Sequence, residues 1–358
     1  MLTENQKAYI LLSKLELSYK KCTDILECFN SPSDFLYAIQ NGDNNLKSLF
    51  GKDYEKYKQI CQDFSFDTFE EYMSKNNVNI VTMTDSNYPK NLLRLDQPPY
   101  ILYYQGNLDL INTKCIAIVG TRTPSFYGKD ITLKFAKELT QAGLTIVSGL
   151  STGVDKISHE TALKYGGNTI AVLGNGFLKM YPACNINLSK EIAQKGLLIT
   201  EYYPTFVARN YSFPARNRII AALSQGVLIT EAAQKSGSLY TKDFALDMGI
   251  DVYSVPGNIT SQKSIGTNNI IKFGHAACVT CSQDILTNYG ITQKEIKEEK
   301  IQLNFEEQKI YNYLLLGEKN FDDLQQFSGF SAQNLNTCLT TMQIRGIIKK
   351  LPGNYYSV

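Results

Sequence analysis

The chain has 358 residues, of which 43% are hydrophobic and 20% charged, with 36 lysines and arginines against 34 aspartates and glutamates. This composition is typical of a globular protein of two or three domains and excludes a disordered or strongly basic chain. Its longest apolar runs, such as Cys115–Val119, are far shorter than the ~20 residues of a bilayer crossing. The N-terminus also lacks the basic and apolar blocks of a signal peptide. We therefore predict a cytoplasmic protein without a membrane segment.

Cysteines and histidines are sparse, which limits metal and disulfide chemistry. Eight cysteines spread along the sequence are too dilute for a disulfide framework and suit a reducing compartment. Cys278 and Cys281 form one CxxC pair, whereas a zinc site of this type needs a second pair. The two histidines, His159 and His275, have no neighbouring ligand pattern, and we interpret His159 as structural. We expect no metal site and no cofactor.

Charge is unevenly distributed along the chain. Residues 1–113 carry 11 basic and 15 acidic side chains, residues 114–286 carry 17 and 11, and residues 287–358 carry 8 of each. The positive excess therefore lies in the middle segment. This favours an anionic partner there, although ordinary solubility would also tolerate such a surplus.

Residues 1–75 have the pattern of a small helical domain. From Asn5 to about Phe64 the apolar side chains recur three and four positions apart, and no strand-like alternation interrupts them. This spacing places the apolar side chains on one face of each helix, as a helical bundle requires.

Residues 76–286 have the alternating pattern of an α/β domain. Short apolar runs rich in β-branched residues predict buried parallel strands at Cys115–Val119, Thr145–Val147, Thr169–Leu173, Leu197–Thr200, Val227–Ile229 and Val252–Val255. Amphipathic stretches between them predict helices at Lys129–Gln141, Lys156–Tyr165 and Ser238–Asp247. The predicted fold class is α/β, a doubly wound and mostly parallel sheet. Ligands bind at the carboxyl ends of the strands in such sheets, so we expect a site there.

Two further segments follow the α/β domain. Residues 287–304 are rich in lysine and glutamate and predict a solvated linker. Residues 305–358 contain three helical patterns, the last from Ala332 to about Arg345, and then two short strand-like runs around a Pro-Gly pair. This order predicts a winged helix-turn-helix domain. Because Arg345 is the only basic residue of the last helix, we favour a protein-contact or weak DNA-binding role over specific duplex recognition.

The loop after the first predicted parallel strand is the first candidate ligand site. Gly120 permits a tight turn, the following helix offers free backbone amides, and Arg122 can add a bidentate contact to a phosphate. Neither a GxGxxG dinucleotide fingerprint nor a Walker A loop is present. From the residues alone, a plain strand-to-helix turn is an equally good interpretation.

A second candidate lies between Arg209 and Ile220, where three arginines, two aromatic residues and a proline occur close together. Basic groups interleaved with aromatic rings suit single-stranded nucleic acid, because arginines contact phosphates and rings stack on bases. The alternative is structural, since Arg216 and Arg218 stand beside an apolar pair and can pack on the sheet.

A third candidate is Ser236-Gly237-Ser238 at the start of a predicted helix. Small polar residues at a helix start can receive an anion, and the competing interpretation is an ordinary helix cap. No Ser-His-Asp, Cys-His or paired-carboxylate arrangement can be assembled from the spacing, so no catalytic site is predicted.

Together these motifs resemble the DNA-processing protein A family, also called the Smf family, which takes part in natural transformation. The resemblance runs through Gly120-Thr121-Arg122 with Ser125, Ser148-Gly149 with Gly153-Val154-Asp155 and His159, Gly174-Asn175-Gly176 with Tyr181-Pro182, Glu201-Tyr202, Phe213 to Ile220, Glu231-Ala232, Ser236 to Thr241, and Val255-Pro256-Gly257. The flanks are similar to the family's optional parts, a sterile-alpha-motif-like or helix-hairpin-helix-like domain in front and a winged-helix domain behind.

The resemblance implies a non-enzymatic protein with an extended Rossmann fold. Such a protein protects incoming single-stranded DNA and loads the recombinase RecA onto it during natural transformation. It forms a homodimer, and single-strand-binding protein is a further expected partner. By the same resemblance, Arg122 and Ser125 hold DNA phosphates, Arg209 is a basic DNA contact, and Phe213 stacks against a base.

The other DNA-binding residues predicted from these motifs are Gly120, Ser148, Gly149, Arg216, Asn217, Arg218, Ser236, Gly237 and Ser238. Part of the run from Arg216 to Arg218 is expected to be structural. The chain departs from the family after Tyr181-Pro182, where relatives often have a basic residue and this sequence has alanine and cysteine. Our hypothesis is that Lys156 supplies the missing charge.

A nucleotide-binding Rossmann protein is the alternative function. It would be a phosphoribohydrolase-like enzyme or a nucleotide sensor, with the first loop as phosphate cradle and, in the enzyme, Glu201 or Glu231 as the acid. The glycine-dense PGGxGT loop of those hydrolases is not reproduced by Ser236-Gly237-Ser238. Protection of the fold by a mononucleotide, without binding to oligonucleotides, would favour the sensor.

Overall fold

The computed structural model describes residues 2–291 and 303–358. The first range belongs to one unit and the second to another, and each has its own hydrophobic core. Across the described ranges, no helix is long and apolar enough to cross a membrane. The predicted linker of residues 287–304 lies mostly outside the described residues, although Thr287–Tyr289 forms a short 3-10 helix.

Six helices precede the sheet: α1 (Glu4–Lys14), α2 (Tyr19–Glu27), α3 (Asp34–Asn41), α4 (Asn44–Phe50), α5 (Tyr54–Gln62) and α6 (Phe66–Lys75). Four of them begin at a polar side chain that accepts a hydrogen bond from an otherwise free backbone N–H, namely Thr3, Ser18, Asp43 and Ser65. Their apolar faces form a core that also includes Ile101, Tyr103 and Tyr203 from the sheet region. The helical segment therefore shares a core with the sheet.

The main sheet consists of β1 (Asn79–Thr82), β2 (Ile101–Gly106), β3 (Cys115–Val119), β4 (Thr145–Ser148), β5 (Thr169–Val172), β6 (Leu197–Thr200), β7 (Gly226–Ile229), β8 (Asp251–Ser254) and β9 (Ala277–Cys278). Their spatial order is β1-β2-β6-β5-β4-β3-β7-β8-β9. Neighbours from β6 to β9 run parallel, whereas β2 runs antiparallel to both β1 and β6. The predicted mostly parallel α/β sheet is confirmed, and β1, β2 and β9 extend it beyond the six predicted strands.

The helices that cover this sheet are α7 (Phe126–Gln141), α8 (Val154–Lys164), α9 (Ile186–Lys195), α10 (Ser212–Ala222), α11 (Leu239–Asp247), α12 (Ile265–Lys272) and α13 (Ser282–Leu286). Alternate residues of β3 pack into two different hydrophobic cores. Ala117 and Val119 pack in the core that contains residues of α10 and α11, whereas Ile116 and Ile118 pack in the core that contains residues of α7 and α8. Both faces of β3 are thus buried, which explains its continuous apolar sequence.

The strand order places a topological switch point between β3 and β7. The chain proceeds from β3 towards β4 on one side and from β7 towards β8 on the other, so the loops that follow β3 and β7 diverge. The crevice that opens at such a point, at the carboxyl ends of the strands, is where open α/β sheets bind ligands.

The second unit contains α14 (Phe305–Leu314), β10 (Lys319–Asn320), α15 (Phe321–Ser328), α16 (Ala332–Ile344), β11 (Lys349–Leu351) and β12 (Tyr355–Ser357). The strands form a small antiparallel sheet in the order β10-β12-β11. Ser331 caps α16, because its side chain accepts a hydrogen bond from the backbone N–H of Asn334. The three helices and the hairpin are present, and the assignment to the winged-helix class stays a prediction.

Candidate nucleic-acid interface

A cleft of about 520 Å³ lies at the carboxyl ends of the central strands, at the switch point, and we call it the first cleft. Its volume is within the range of roughly 300–1,000 Å³ that ligand sites occupy. It is lined by eight of the predicted site residues: Gly120, Arg122, Phe213, Arg216, Asn217, Ser236, Gly237 and Ser238. The fold thus brings together all three candidate segments of the sequence.

The loop after β3 is held by the buried side chain of Glu231, which is 2% exposed. The carboxylate accepts hydrogen bonds from the backbone N–H of Ser125 at 2.8 Å and from its hydroxyl at 2.5 Å. The Ser125 hydroxyl also accepts from the backbone N–H of Gly128 at 3.0 Å, which caps α7. A Cβ at Gly128 would lie 2.5 Å from a Glu231 carboxylate oxygen, so only glycine fits there. In this structure the Ser125 side chain therefore holds the loop.

Arg122 is the exposed cation of the first cleft. Its guanidinium lies 5.3 Å from the centroid of the Phe213 ring, a cation–π position that leaves its N–H groups available to an anion. Among the described residues it has no hydrogen-bond acceptor and no acidic partner. The Tyr181 ring centroid is 5.5 Å from that of Phe213, with the rings tilted at 47°. Tyr181 was not predicted as a site residue, although its position after β5 at the same sheet edge was the available signal.

Arg216 lines the same cleft but is 4% exposed. Its guanidinium donates hydrogen bonds to the backbone carbonyls of Gly149 and Val172, which follow and end neighbouring strands. Burial lowers the pKa of Arg216 to about 10, an effect that the nearby Asp155 carboxylate opposes. Burial likewise raises the pKa of Asp155, and Arg216 opposes that shift. A Cβ at Gly149 would lie 2.5 Å from the guanidinium, so Gly149 provides the space that Arg216 fills.

Arg218 faces the opposite side of α10 and does not line the first cleft. Its two terminal nitrogens donate to the two carboxylate oxygens of Glu201 at 2.8 and 2.6 Å, and its Nε donates to the carbonyl of Gln97 at 3.2 Å. Burial disfavours its charge, but the Glu201 carboxylate more than offsets this and raises the pKa of Arg218. The side chains of both Arg216 and Arg218 are therefore held by contacts within the protein, as the structural alternative for these two arginines expects.

Arg209 and Lys156 lie outside the lining of the first cleft. The Arg209 side chain is 56% exposed and forms an ion pair of 2.9 Å with Glu16, which follows α1. The Lys156 side chain is 38% exposed, and its ammonium is 3.6 Å from the Glu160 carboxylate one turn later in α8. Pairs as exposed as these are weak, so both cations stay accessible to an anion.

Of the remaining predicted residues, Asn217, Ser236 and Ser238 line the first cleft, whereas Ser148 does not. The Ser148 hydroxyl is buried and donates to the carbonyl of Ile118 at 2.7 Å. The Asn217 side-chain amide donates to the carbonyl of Gly237 at 3.2 Å and so ties α10 to the loop before α11. In that loop the hydroxyls of Ser236 and Ser238 are 2.8 Å apart. Both serines are partly exposed at the cleft.

His159 is fully buried, as its structural interpretation requires. Its Nδ1 lies 2.6 Å from the Thr169 hydroxyl. Burial, with a smaller contribution from Arg216, lowers the pKa of His159 to about 3, so the ring is neutral at ordinary pH. Within the described residues, no group of three or more histidine, cysteine or acidic side chains is arranged to hold a metal ion.

Comparisons with known proteins identify the family of this chain. Residues 79–290 match the family model for DNA recombination-mediator protein A. The chain is 38% identical to the DNA processing protein DprA of Streptococcus pneumoniae over 235 residues, covering 66% of this chain and 80% of that protein. It is 39% identical to Protein Smf of Synechocystis sp. over 229 residues, covering 63% of this chain and 57% of that protein. The chain thus matches little more than half the length of the Synechocystis protein.

Two solved structures give the same result. The X-ray structure of DNA processing protein A from Streptococcus pneumoniae aligns with a TM-score of 0.66 and 32% identity, over 80% of this chain and 98% of that chain. A structure that describes the single-stranded DNA binding mode of DNA processing protein A from Helicobacter pylori aligns with a TM-score of 0.54 and 35% identity, over 59% and 95%. The resemblance read from the motifs is confirmed, and the chain belongs to the DNA recombination-mediator protein A family.

Proposed function

We propose that this chain is a single-stranded DNA-binding recombination mediator that acts by binding and not by catalysis. The observation that carries this is the placement of the Arg122 guanidinium over the Phe213 ring, beside Tyr181, at the switch point of the sheet. A guanidinium contacts phosphate and rings stack on bases, and neither contact depends on base identity. Binding of this kind does not depend on the base sequence of the DNA and weakens as the salt concentration rises. This suits a protein that must release its strand.

We assign direct DNA contacts to those predicted site residues whose side chains are exposed or partly exposed. Arg122 and Phe213 contact the strand directly, together with the partly exposed Ser236-Gly237-Ser238 loop and Asn217 beside it. Arg209 and Lys156 add phosphate contacts outside the first cleft. Side chains that are already hydrogen-bonded within the protein position the site and do not contact the strand, namely those of Ser125, Ser148, Arg216 and Arg218. Gly120 and Gly149 allow the loops to pack closely.

The surroundings of two glutamates favour this proposal over a hydrolase. Glu231 is buried and accepts two hydrogen bonds from Ser125, and Glu201 is paired through both oxygens with Arg218. A general acid or base must reach the proton that it transfers. Both candidate carboxylates are held in contacts within the protein, and neither lines the first cleft.

The partners follow from the proposed function. We propose that the chain works in the cytoplasm as a homodimer, protects incoming strands and helps RecA to replace single-strand-binding protein on them. Adding the chain to RecA and single strands coated with single-strand-binding protein should then shorten the lag before RecA hydrolyses ATP. An unchanged lag would contradict the loading role but not the binding role.

The first test is fluorescence anisotropy of a labelled single strand and its duplex across several salt concentrations. We expect a preference for the single strand, about tenfold weaker binding for Arg122→Ala, and a salt slope smaller by about 0.7 in that variant. Lys75→Ala, which removes an exposed charge at the end of α6 and away from the cleft, is the matched control. Duplex-selective or absent binding, or an equal effect of both substitutions, would refute the proposal.

A further inference from the structure

A second cleft, of about 740 Å³, lies on the opposite side of α10 from the first. Phe213 and Asn217 line the first cleft, whereas Tyr211, Ala215 and Arg218 line the second. Residues three and four apart share a face of a helix, so α10 forms the wall between the two clefts. The far wall of the second cleft comes from α1, α2 and the segment before β2. Its volume also falls within the range of roughly 300–1,000 Å³ of ligand sites.

The walls of the second cleft are rich in aromatic rings. Tyr19 stacks on Tyr100 with ring centroids 4.9 Å apart and an interplanar angle of 8°. Tyr202 stacks on Phe206 at 4.3 Å and 13°. Tyr211, which also lines the second cleft, is 56% exposed. Exposed faces of such rings bind a flat, unsaturated ligand by stacking.

The charged side chains that line the second cleft determine which part of a ligand can bind there. Of the two arginines that line the second cleft, Arg218 donates twice to Glu201, and Arg94 donates through one terminal nitrogen to the carbonyl of Met248 at 2.7 Å. The cleft is also lined by four carboxylates, those of Glu16, Asp96, Glu201 and Asp247. This interior disfavours a phosphate and accepts a neutral planar group.

Arg209 lines neither cleft but precedes, in the chain, one residue of each. The residue after it, Asn210, lines the first cleft, and Tyr211 lines the second. One terminal nitrogen of Arg209 is 2.9 Å from the Glu16 carboxylate, and the other is 3.4 Å from the Tyr211 hydroxyl. Because this pair is exposed to solvent, it is weak, and a phosphate can take the place of Glu16.

We propose that a single strand leaving the first cleft passes a phosphate over Arg209 and places a base in the second cleft, against Tyr19 and Tyr211. This inference rests on the proposed function and extends its contact surface by one site. The carboxylates of the second cleft keep the DNA backbone at its rim, and the stacked rings receive the base. The ligand class is the neutral nucleobase of the bound strand, and a free nucleotide is the competing source of the same group.

The absence of tryptophan from the sequence gives a direct test. Tyr19→Trp places a single indole reporter in the wall of the second cleft, and stacking on a base quenches indole emission. Tyr37→Trp is the matched control, because Tyr37 is 59% exposed on α3 and lines neither cleft. Each full-length variant is titrated with oligothymidylate and with thymidine monophosphate, and anisotropy of a labelled strand records binding in parallel.

We expect oligothymidylate to quench the Tyr19→Trp variant over the concentrations at which anisotropy reports binding, and to leave Tyr37→Trp unchanged. Glu16→Gln should strengthen single-strand binding about twofold to fivefold at low salt, since Arg209 is then freed. Oligonucleotide binding without quenching, quenching by the monophosphate alone, or unchanged affinity of Glu16→Gln would overturn the inference. Loss of oligonucleotide binding in every protein, wild type included, would instead refute the proposed function and the inference with it.

Discussion

The loop after β3 and the helix α10 each bring an arginine to the first cleft, but the two guanidinium groups are in opposite states. Arg122 is exposed over the Phe213 ring, and among the described residues it has no acidic partner. Arg216 is 4% exposed and donates to backbone carbonyls at the ends of β4 and β5. A motif can thus bring several cations to a sheet edge, while packing decides which of them a ligand can reach.

The sharpest test of this comparison is Arg216→Met beside Arg122→Ala. Arg216→Met should lower the free energy of unfolding by about 3–5 kcal/mol, because buried Asp155 loses its neighbouring positive charge and two carbonyls lose their donor. Arg122→Ala should change it by less than about 0.5 kcal/mol. Urea unfolding followed by circular dichroism measures both, and equal effects would show that the two arginines do not differ in role.

Gly149→Ala tests the space beside Arg216. A Cβ there would lie 2.5 Å from the guanidinium, so we expect a loss of about 1–3 kcal/mol in the free energy of unfolding. Gly237→Ala is the control, because nothing lies within 4 Å of a Cβ built at that position. Thermal and urea unfolding should separate the two variants, and a Gly149→Ala protein as stable as the wild type would mean that Arg216 can move aside at little cost.

The pH dependence of stability probes the same buried cluster. The pKa of His159 is lowered to about 3 in the folded chain, whereas an unfolded histidine titrates near 6.5. As the pH falls from about 6.5 to 5, His159 binds a proton in the unfolded chain but stays neutral in the folded chain. His159 should therefore make stability fall with falling pH by up to about 1.4 kcal/mol per pH unit. His159→Gln should flatten this slope in urea titrations, and an identical slope would exclude His159 as its source.

Lys156→Ala is expected to have the smallest effect. Its exposed pair with Glu160 contributes little to stability, so the unfolding transition should not shift. If Lys156 adds an outer phosphate contact, single-strand affinity should fall about twofold and the salt slope by about 0.7. Anisotropy at several salt concentrations measures both, and unchanged values would remove Lys156 from the interface.

Much of the fold was predictable from local sequence because the strands from β3 to β8 are buried on both faces. Their apolar runs identify them without any long-range information. The strand β1 was missed, since Asn79–Thr82 is short and only its last two residues are buried. The shared core between the helical segment and β2 was also missed, because it depends on contacts between residues far apart in the chain, such as Phe69 and Tyr103.

The sequence predicted which residues line the first cleft, but not which of them are free to contact a ligand and which are held by contacts within the protein. The motifs identified eight lining residues of the first cleft. They gave no way to know that the Ser125 hydroxyl faces Glu231 or that Arg218 pairs with Glu201, because each partner lies on a different element. Tyr181 is a similar case, since its contact with Phe213 joins the loop after β5 to the start of α10.

The anchoring of the β3 loop to Glu231 has a kinetic consequence. The backbone N–H of Thr121 donates to the Glu231 carbonyl, and Ser125 donates twice to its carboxylate, so the segment that carries Arg122 is fastened on both sides. Ordering a loose segment on contact would cost about 1–2 kcal/mol per residue, and here that entropy is already lost on folding. Encounter with a polyanion should then be limited by diffusion and charge attraction, with no slow rearrangement step before capture.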